Sequence, residues 1–134
     1  MRLSGLVVVL ACGVLASCAT KTLAPSHTDR HYLRVALSPD PVEQPILTGP
    51  PQTGGMYSGR VVLKAGEMMN SHSTNTHEEL LVFLQGKATV LLGRETLTLS
   101  AGEVLYIPPQ TLHELYNDGP EELRYIYTVA PAGP

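Results

Sequence analysis

From Gly59 to Ala130 the chain repeats one rhythm, short apolar runs broken by turn residues: GRVVLKAG, EELLVFLQG, KATVLLG, ETLTLSAG, EVLYIPP, HELYNDG and LRYIYTVA. The runs recur about every ten residues, are rich in Val, Leu, Ile and Tyr, and show no helical period of useful length. Gly, Pro, Asn and Asp stand between them, the residues that let a chain reverse direction. This pattern restricts the fold to an all-β sandwich or barrel.

Individual runs say how they sit. In ETLTLS, Leu97 and Leu99 alternate with Thr96 and Thr98, as in a strand with one wet face. ELLVFL is apolar on both faces, which predicts a central strand with the barrel interior on one side and a second layer, such as another subunit, on the other. Ala65-Gly66 and Ala101-Gly102, each followed by Glu, mark two equivalent turns thirty-six residues apart. That duplication predicts the two related halves of a double-sheet jelly roll.

Upstream the grammar is different. His31 to Leu37 reads as a first strand, but SPDPVEQP and TGPPQTGG crowd Pro and Gly into a stretch that holds no regular ladder. The expectation there is a long arm or lid, ordered by packing on something else. Ala19 to Arg30 is small and polar, like a tether, and His27 and His31 in or beside it read as solvated side chains.

The first residues concern location. MRLSGLVVVLACGVLASC has one early Arg2, an uncharged apolar run and a small-residue stop, the pattern of a signal peptide over residues 1–17. Leu6 to Ala16 is about half the length of the roughly 20 apolar residues that a spanning helix needs. The stop Leu15-Ala16-Ser17-Cys18 resembles the lipobox of bacterial lipoproteins, which implies that Cys18 is lipidated and becomes the first residue. Ala19 then favours the outer membrane, facing the periplasm, where the cell has one. The resulting organisation is a signal peptide at 1–17, a lipidated Cys, tether and Pro/Gly-rich arm at 18–55, and a single β-domain at 56–130.

Composition narrows the partners. Cys12 lies in the segment to be removed, so the mature chain has no cysteine pair and its stability must come from a core. The formal charge of −3 comes with no basic stripe able to grip phosphates, which excludes nucleic acid as an expected partner. Membrane contact is expected through the lipid anchor only.

One stretch carries the chemistry. SHSTNTHEE, Ser71 to Glu79, holds two histidines and two acids just before the most apolar run. Imidazole and carboxylate suit first-row divalent ions, and a site needs three or four such donors converging from different strands. In extended chain His77 and Glu79 share a face. His72 lies across the turn Ser73 to Thr76 and faces them if that turn closes a hairpin, while His113, after PPQT, begins another strand.

The spacing resembles the two motifs of the cupin superfamily: G, five residues, HxH, three or four residues, E, six residues, G; then G, five residues, PxG, two residues, H, three residues, N. Gly66, His72, Glu79 and Gly86 fit the first, and Gly102, Pro108, His113 and Asn117 the second. The resemblance implies a double-stranded β-helix barrel with one divalent metal ion, Fe, Mn, Ni, Zn or Cu, near its mouth. It carries ligand roles to His72, Glu79 and His113. The second histidine of HxH is here Thr74, a poor ligand, and His77 is the expected substitute because it shares a face with Glu79. Gln110 replaces a turn glycine.

Around this site, Leu81 and Phe83 share parity with Glu79 and are candidates to line the cavity below the metal, with core packing the role expected first. Tyr106, Tyr125 and Tyr127 are candidate hydrogen-bond donors to a ligand, and Met68 and Met69 lie beside the site. Three functions stay open: a metalloenzyme (dioxygenase, isomerase or lyase), with Glu78, Glu114 and the tyrosines as candidate bases; a non-catalytic module binding a small molecule, with or without metal, where Glu79 pairs with Arg60 or binds a polar ligand; and a structural homodimer. A homodimer is compatible with all three.

Overall fold

The computed structural model describes residues 32–133, and every regular element in that span is a strand. They are β1 (Gln44–Thr48), β2 (Tyr57–Leu63), β3 (Met68–His72), β4 (His77–Gln85), β5 (Lys87–Leu92), β6 (Glu95–Ser100), β7 (Val104–Ile107), β8 (His113–Tyr116) and β9 (Leu123–Pro131). All seven runs identified in the sequence are strands, β2 and β4 to β9. The expected signal peptide, Cys18 and the tether to Arg30 lie outside the described residues; the compact unit holding all nine strands begins at Arg34.

The strands form a five-stranded sheet, β1-β2-β9-β4-β7, and a four-stranded sheet, β3-β8-β5-β6, with every pairing antiparallel. This is the jelly roll that the duplicated turns predicted. Those turns are equivalent in detail. Gly66 and Gly102 both take positive φ, 82° and 90°, which glycine adopts without a Cβ penalty. Glu67 then accepts a hydrogen bond from the amide of Lys64, and Glu103 one from Ser100, at 2.7 and 2.6 Å.

Between the sheets lies the core. Leu81 and Phe83 of β4, Leu123 and Tyr125 of β9, and Val61 and Leu63 of β2 face Ala88, Val90 and Leu115 of the smaller sheet. Full burial of each large apolar side chain contributes about 1.5–3 kcal/mol. At the foot of the barrel Asn117, 1% exposed, donates from Nδ2 to the carbonyls of Leu63 and Glu121, while its Oδ1 accepts from Gly119 N–H. It is a structural polar group, with each amide atom satisfied.

Three expectations need correction. Residues 32–37 form no strand, whereas Gln44–Thr48, inside the Pro-rich arm, does. Proline is tolerated there because β1 is an edge strand with a register shift between Pro45 and Leu47. The short β3 was not legible because MMNSH shows no alternation of apolar and polar residues. As for Arg60, its side chain leaves the barrel on the outer face of β2 and is spent on backbone carbonyls of the arm, so it does not pair with Glu79.

Candidate metal centre

His72, Glu79 and His113 meet at one end of the barrel. Each offers one ligand atom, and the three atoms lie within 4.8 Å of one another. The histidines are register partners on β3 and β8 of the smaller sheet, with ring centroids 4.3 Å apart. Glu79 reaches them from β4 of the larger sheet. The expected hairpin is therefore corrected: Ser73 to Thr76 carries the chain from one sheet to the other, and His72 faces Glu79 across the interior.

A β-bulge aims His72. Met69 pairs with Leu115 and His72 with His113, so three residues of β3 span what two span on β8. In a regular strand residues three apart point to opposite faces. The extra residue returns both Met69 and His72 to the cavity, a common use of bulges beside functional sites.

The hydrogen bonds of the group leave its lone pairs pointing inward. His72 Nδ1 lies 2.8 Å from Asn70 O, and His113 Nδ1 lies 3.0 Å from Thr111 O. A carbonyl accepts only, so both imidazoles carry hydrogen on Nδ1 and turn Nε2 toward the cavity. This backbone bond orients histidine as a metal ligand and sets its tautomer. His113 Nε2 and Glu79 Oε2 are 3.2 Å apart, yet both are buried without an aligned hydrogen-bond partner. Two acceptors left facing each other in a dry site are costly, and a cation between them removes that cost.

In the metal-free protein a proton competes for the same gap. Burial disfavours charge on His113, but the adjoining Glu79 carboxylate and the Thr111 carbonyl outweigh it and raise the imidazole pKa above its usual 6.5. Burial, helped by the charges of Glu79 and Glu43, pushes the Tyr125 hydroxyl far above its ordinary range, so it remains a donor.

Beside the group opens a cavity of about 360 Å³. Val61, Met69, Leu81, Leu115 and Val129 form its apolar wall, with Thr74, Glu43 and the rings of Tyr125 and Tyr127 as further polar lining. Phe83, a candidate to line it, lies deeper in the core against Tyr125. His77 also stands outside the donor group, its Nδ1 3.4 Å from Thr76 Oγ1. Thr74 keeps the cavity-lining place, with its hydroxyl donating to His77 O at 2.7 Å to close the turn. Glu78 and Glu114 accept from Tyr106 and Tyr116 away from the cavity. Met68 is exposed on the other face of β3. The residue missed in the sequence is Glu43, which no motif marks.

The loops that carry the ligands are tied together. Gln110 N–H donates to Asn75 O at 2.7 Å, joining the turn before β8 to the turn before β4. Gln110 itself takes φ 60°, the conformation that explains a glycine at this place in the motif.

Two antiparallel sheets closed over one core, with histidines from one and a carboxylate from the other converging at the strand ends, define a double-stranded β-helix with a candidate metal centre. The chain belongs to the cupin family: the cupin-domain profile matches residues 59–129. Among solved structures it resembles a cupin protein from Bacteroides fragilis, with a TM-score of 0.65 at 22% identity over 76% of this chain and 86% of that one. It also resembles the cupin domain of Cnp3 from Schizosaccharomyces pombe, with a TM-score of 0.62 at 22% identity over 67% and 64% of the two chains. Among curated proteins it is 29% identical over 65 residues to an uncharacterized protein of Methanocaldococcus jannaschii, covering 48% of this chain and 52% of that protein. It is 33% identical over 66 residues to mannose-1-phosphate guanylyltransferase RfbM of Salmonella typhimurium, covering 49% of this chain but 14% of that enzyme.

Proposed function

We propose that this cupin holds one divalent transition-metal ion on His72, Glu79 and His113 and takes a small organic molecule into the adjoining cavity. The observation that carries the reading is the convergence of two imidazole nitrogens and one carboxylate oxygen within 4.8 Å, with both rings anchored through Nδ1 to backbone carbonyls. Imidazole and carboxylate together suit Fe, Mn, Ni, Zn or Cu. A bound ion there supplies Lewis acidity toward an oxygen of the ligand. The chain's own residues shape the rest: the apolar wall excludes water, and Tyr125 offers an O–H. Elemental analysis of protein purified without chelator, beside His113→Ala, tests the reading. About one equivalent of metal, lost in the variant, supports it; a parent that stays empty after exposure to all five ions sinks it.

Thr74 favours a second reading, a barrel that binds its ligand without metal, because the donor set lacks one of the family's histidines. Unchanged small-molecule binding after chelation would select it.

The proposal includes a lipid anchor at Cys18 in the bacterial envelope and a homodimer. The apolar run before Cys18 supports the first, and membrane fractionation of Cys18→Ser tests it. For the second, Leu80, Leu84, Val104 and Tyr106 form an exposed apolar row across β4 and β7 on the outer face of the larger sheet. Sedimentation of the parent and of Val104→Arg tests that face; a monomeric parent, or a dimer that survives the substitution, would rule it out.

A further inference from the structure

The arm before β1 is fastened to the barrel by an unusual use of charge. Arg60, 2% exposed, points out of β2 with its guanidinium donating to three main-chain carbonyls, those of Ser38, Asp40 and Val42. Its cross-strand partner Gln44 grips the same loop, Nε2 donating to Ala36 O at 3.0 Å and Oε1 accepting from Ser38 N at 2.9 Å. A buried arginine usually meets an acid; this one is used to fix a loop backbone.

The consequence appears one residue along. Gln44 pairs with Arg60 in an antiparallel ladder, so Glu43 falls opposite Val61. Facing residues share a side of the sheet, and Val61 points inward, so Glu43 points to the barrel mouth. It lines the cavity beside the His72, Glu79 and His113 group, and also a smaller hollow of about 130 Å³ shared with Gly59, Arg60 and Tyr127. Its negative charge is felt by the Tyr125 hydroxyl. Among the described residues no Lys or Arg forms an ion pair with Glu43, and none lines the larger cavity.

We infer that Glu43 is the residue that selects the ligand, and that it selects small molecules bearing an ammonium or similar cation, with Arg60 as the positioning residue that holds the arm in place. This rests on the cavity being a ligand site, as proposed above. A divalent ion on the histidine group carries two charges, of which Glu79 balances one, so Glu43 balances the other when metal is bound and stands as the unbalanced charge at the mouth of the metal-free protein. In the metal-free protein small anions are therefore disfavoured there.

The test is a ¹⁵N NMR titration of the protein, zinc-treated and chelated, with n-butylammonium, n-butanol and butyrate. In the chelated protein butylammonium is expected to bind about fivefold more tightly than butanol, the scale of an exposed ion pair, and butyrate more weakly than either, while bound zinc should narrow the difference. Glu43→Gln should reduce that preference about fivefold, read as the ratio of butylammonium to butanol affinity in the same sample. Arg60→Lys keeps the charge but not the three-carbonyl grip, and should lower the preference without abolishing butanol binding. Equal binding of cation and alcohol by the chelated parent, or a preference that survives Glu43→Gln, would overturn the inference. Zinc content of the same samples is read separately: protein that takes up no zinc but keeps a Glu43-dependent preference refutes the metal reading alone.

Discussion

His113 Nε2 and Glu79 Oε2 sit 3.2 Å apart on strands of opposite sheets, both buried and neither with an aligned hydrogen-bond partner. Sheet-to-sheet packing therefore brings together two groups that repel unless a proton or a cation lies between them.

Removal of any one donor should empty the site. His72→Ala, Glu79→Gln and His113→Ala are each expected to lose bound metal, whereas His77→Ala should retain the parent's content, because His77 lies outside the converging group. Elemental analysis of the four variants checks this. Restoration of a histidine at the cavity-lining position, Thr74→His, should tighten binding by about tenfold or more, equivalent to about 1.4 kcal/mol, in a competition titration with a chelator.

The metal-free protein should lose stability as pH rises. The folded pKa of His113 lies above 6.5, so its protonated form is favoured by folding. That contribution is fully present below 6.5 and is lost as pH climbs through the raised value. Thermal unfolding of chelated protein from pH 6 to 9 should show a falling midpoint, and His113→Ala should flatten this part of the profile. Metal uptake should move the opposite way, because proton and ion compete for Nε2.

Asn117→Ala should destabilise without touching the centre. The substitution leaves the buried Leu63 carbonyl without its donor, at about 1–3 kcal/mol, and releases the part-buried bond to Glu121 O. A lower urea midpoint together with unchanged metal stoichiometry is the expected result.

Gln110→Gly should be neutral or stabilising. A non-glycine residue at φ 60° carries a conformational cost of roughly 1–2 kcal/mol, partly offset by the larger chain entropy that glycine loses on folding. The bond from residue 110 N–H to Asn75 O is retained. An increase of about 0.5 kcal/mol in unfolding free energy fits this balance; a loss above about 1 kcal/mol would show that the Gln110 side chain holds the loop.

Much of the barrel was legible in advance because its strands obey local rules. Apolar runs of strand length separated by turn residues gave seven of nine strands, and the repeated AG turns are matched hydrogen bond for hydrogen bond. The cupin motif spacing named His72, Glu79 and His113 before any geometry was known. β1 and β3 escaped because an edge strand containing Pro45 and a bulged strand reading MMNSH carry no clean alternation.

By itself, then, the sequence determined the β class and the duplicated jelly roll, since side-chain period and turn chemistry act over a few neighbouring residues, and its motif spacing singled out His72, Glu79 and His113 as candidates. Only the tertiary structure decided how the donors meet. A bulge with no local signature turns His72 inward, and the path from β3 to β4 places Glu79 on the opposite sheet rather than across a hairpin. The same holds for His77, whose shared parity with Glu79 was a statement about direction and not distance. Glu43 reaches the mouth because Arg60, 18 and 20 residues on from the Val42 and Asp40 carbonyls, pins them. Long-range pairing sets such positions, and local pattern holds no record of it.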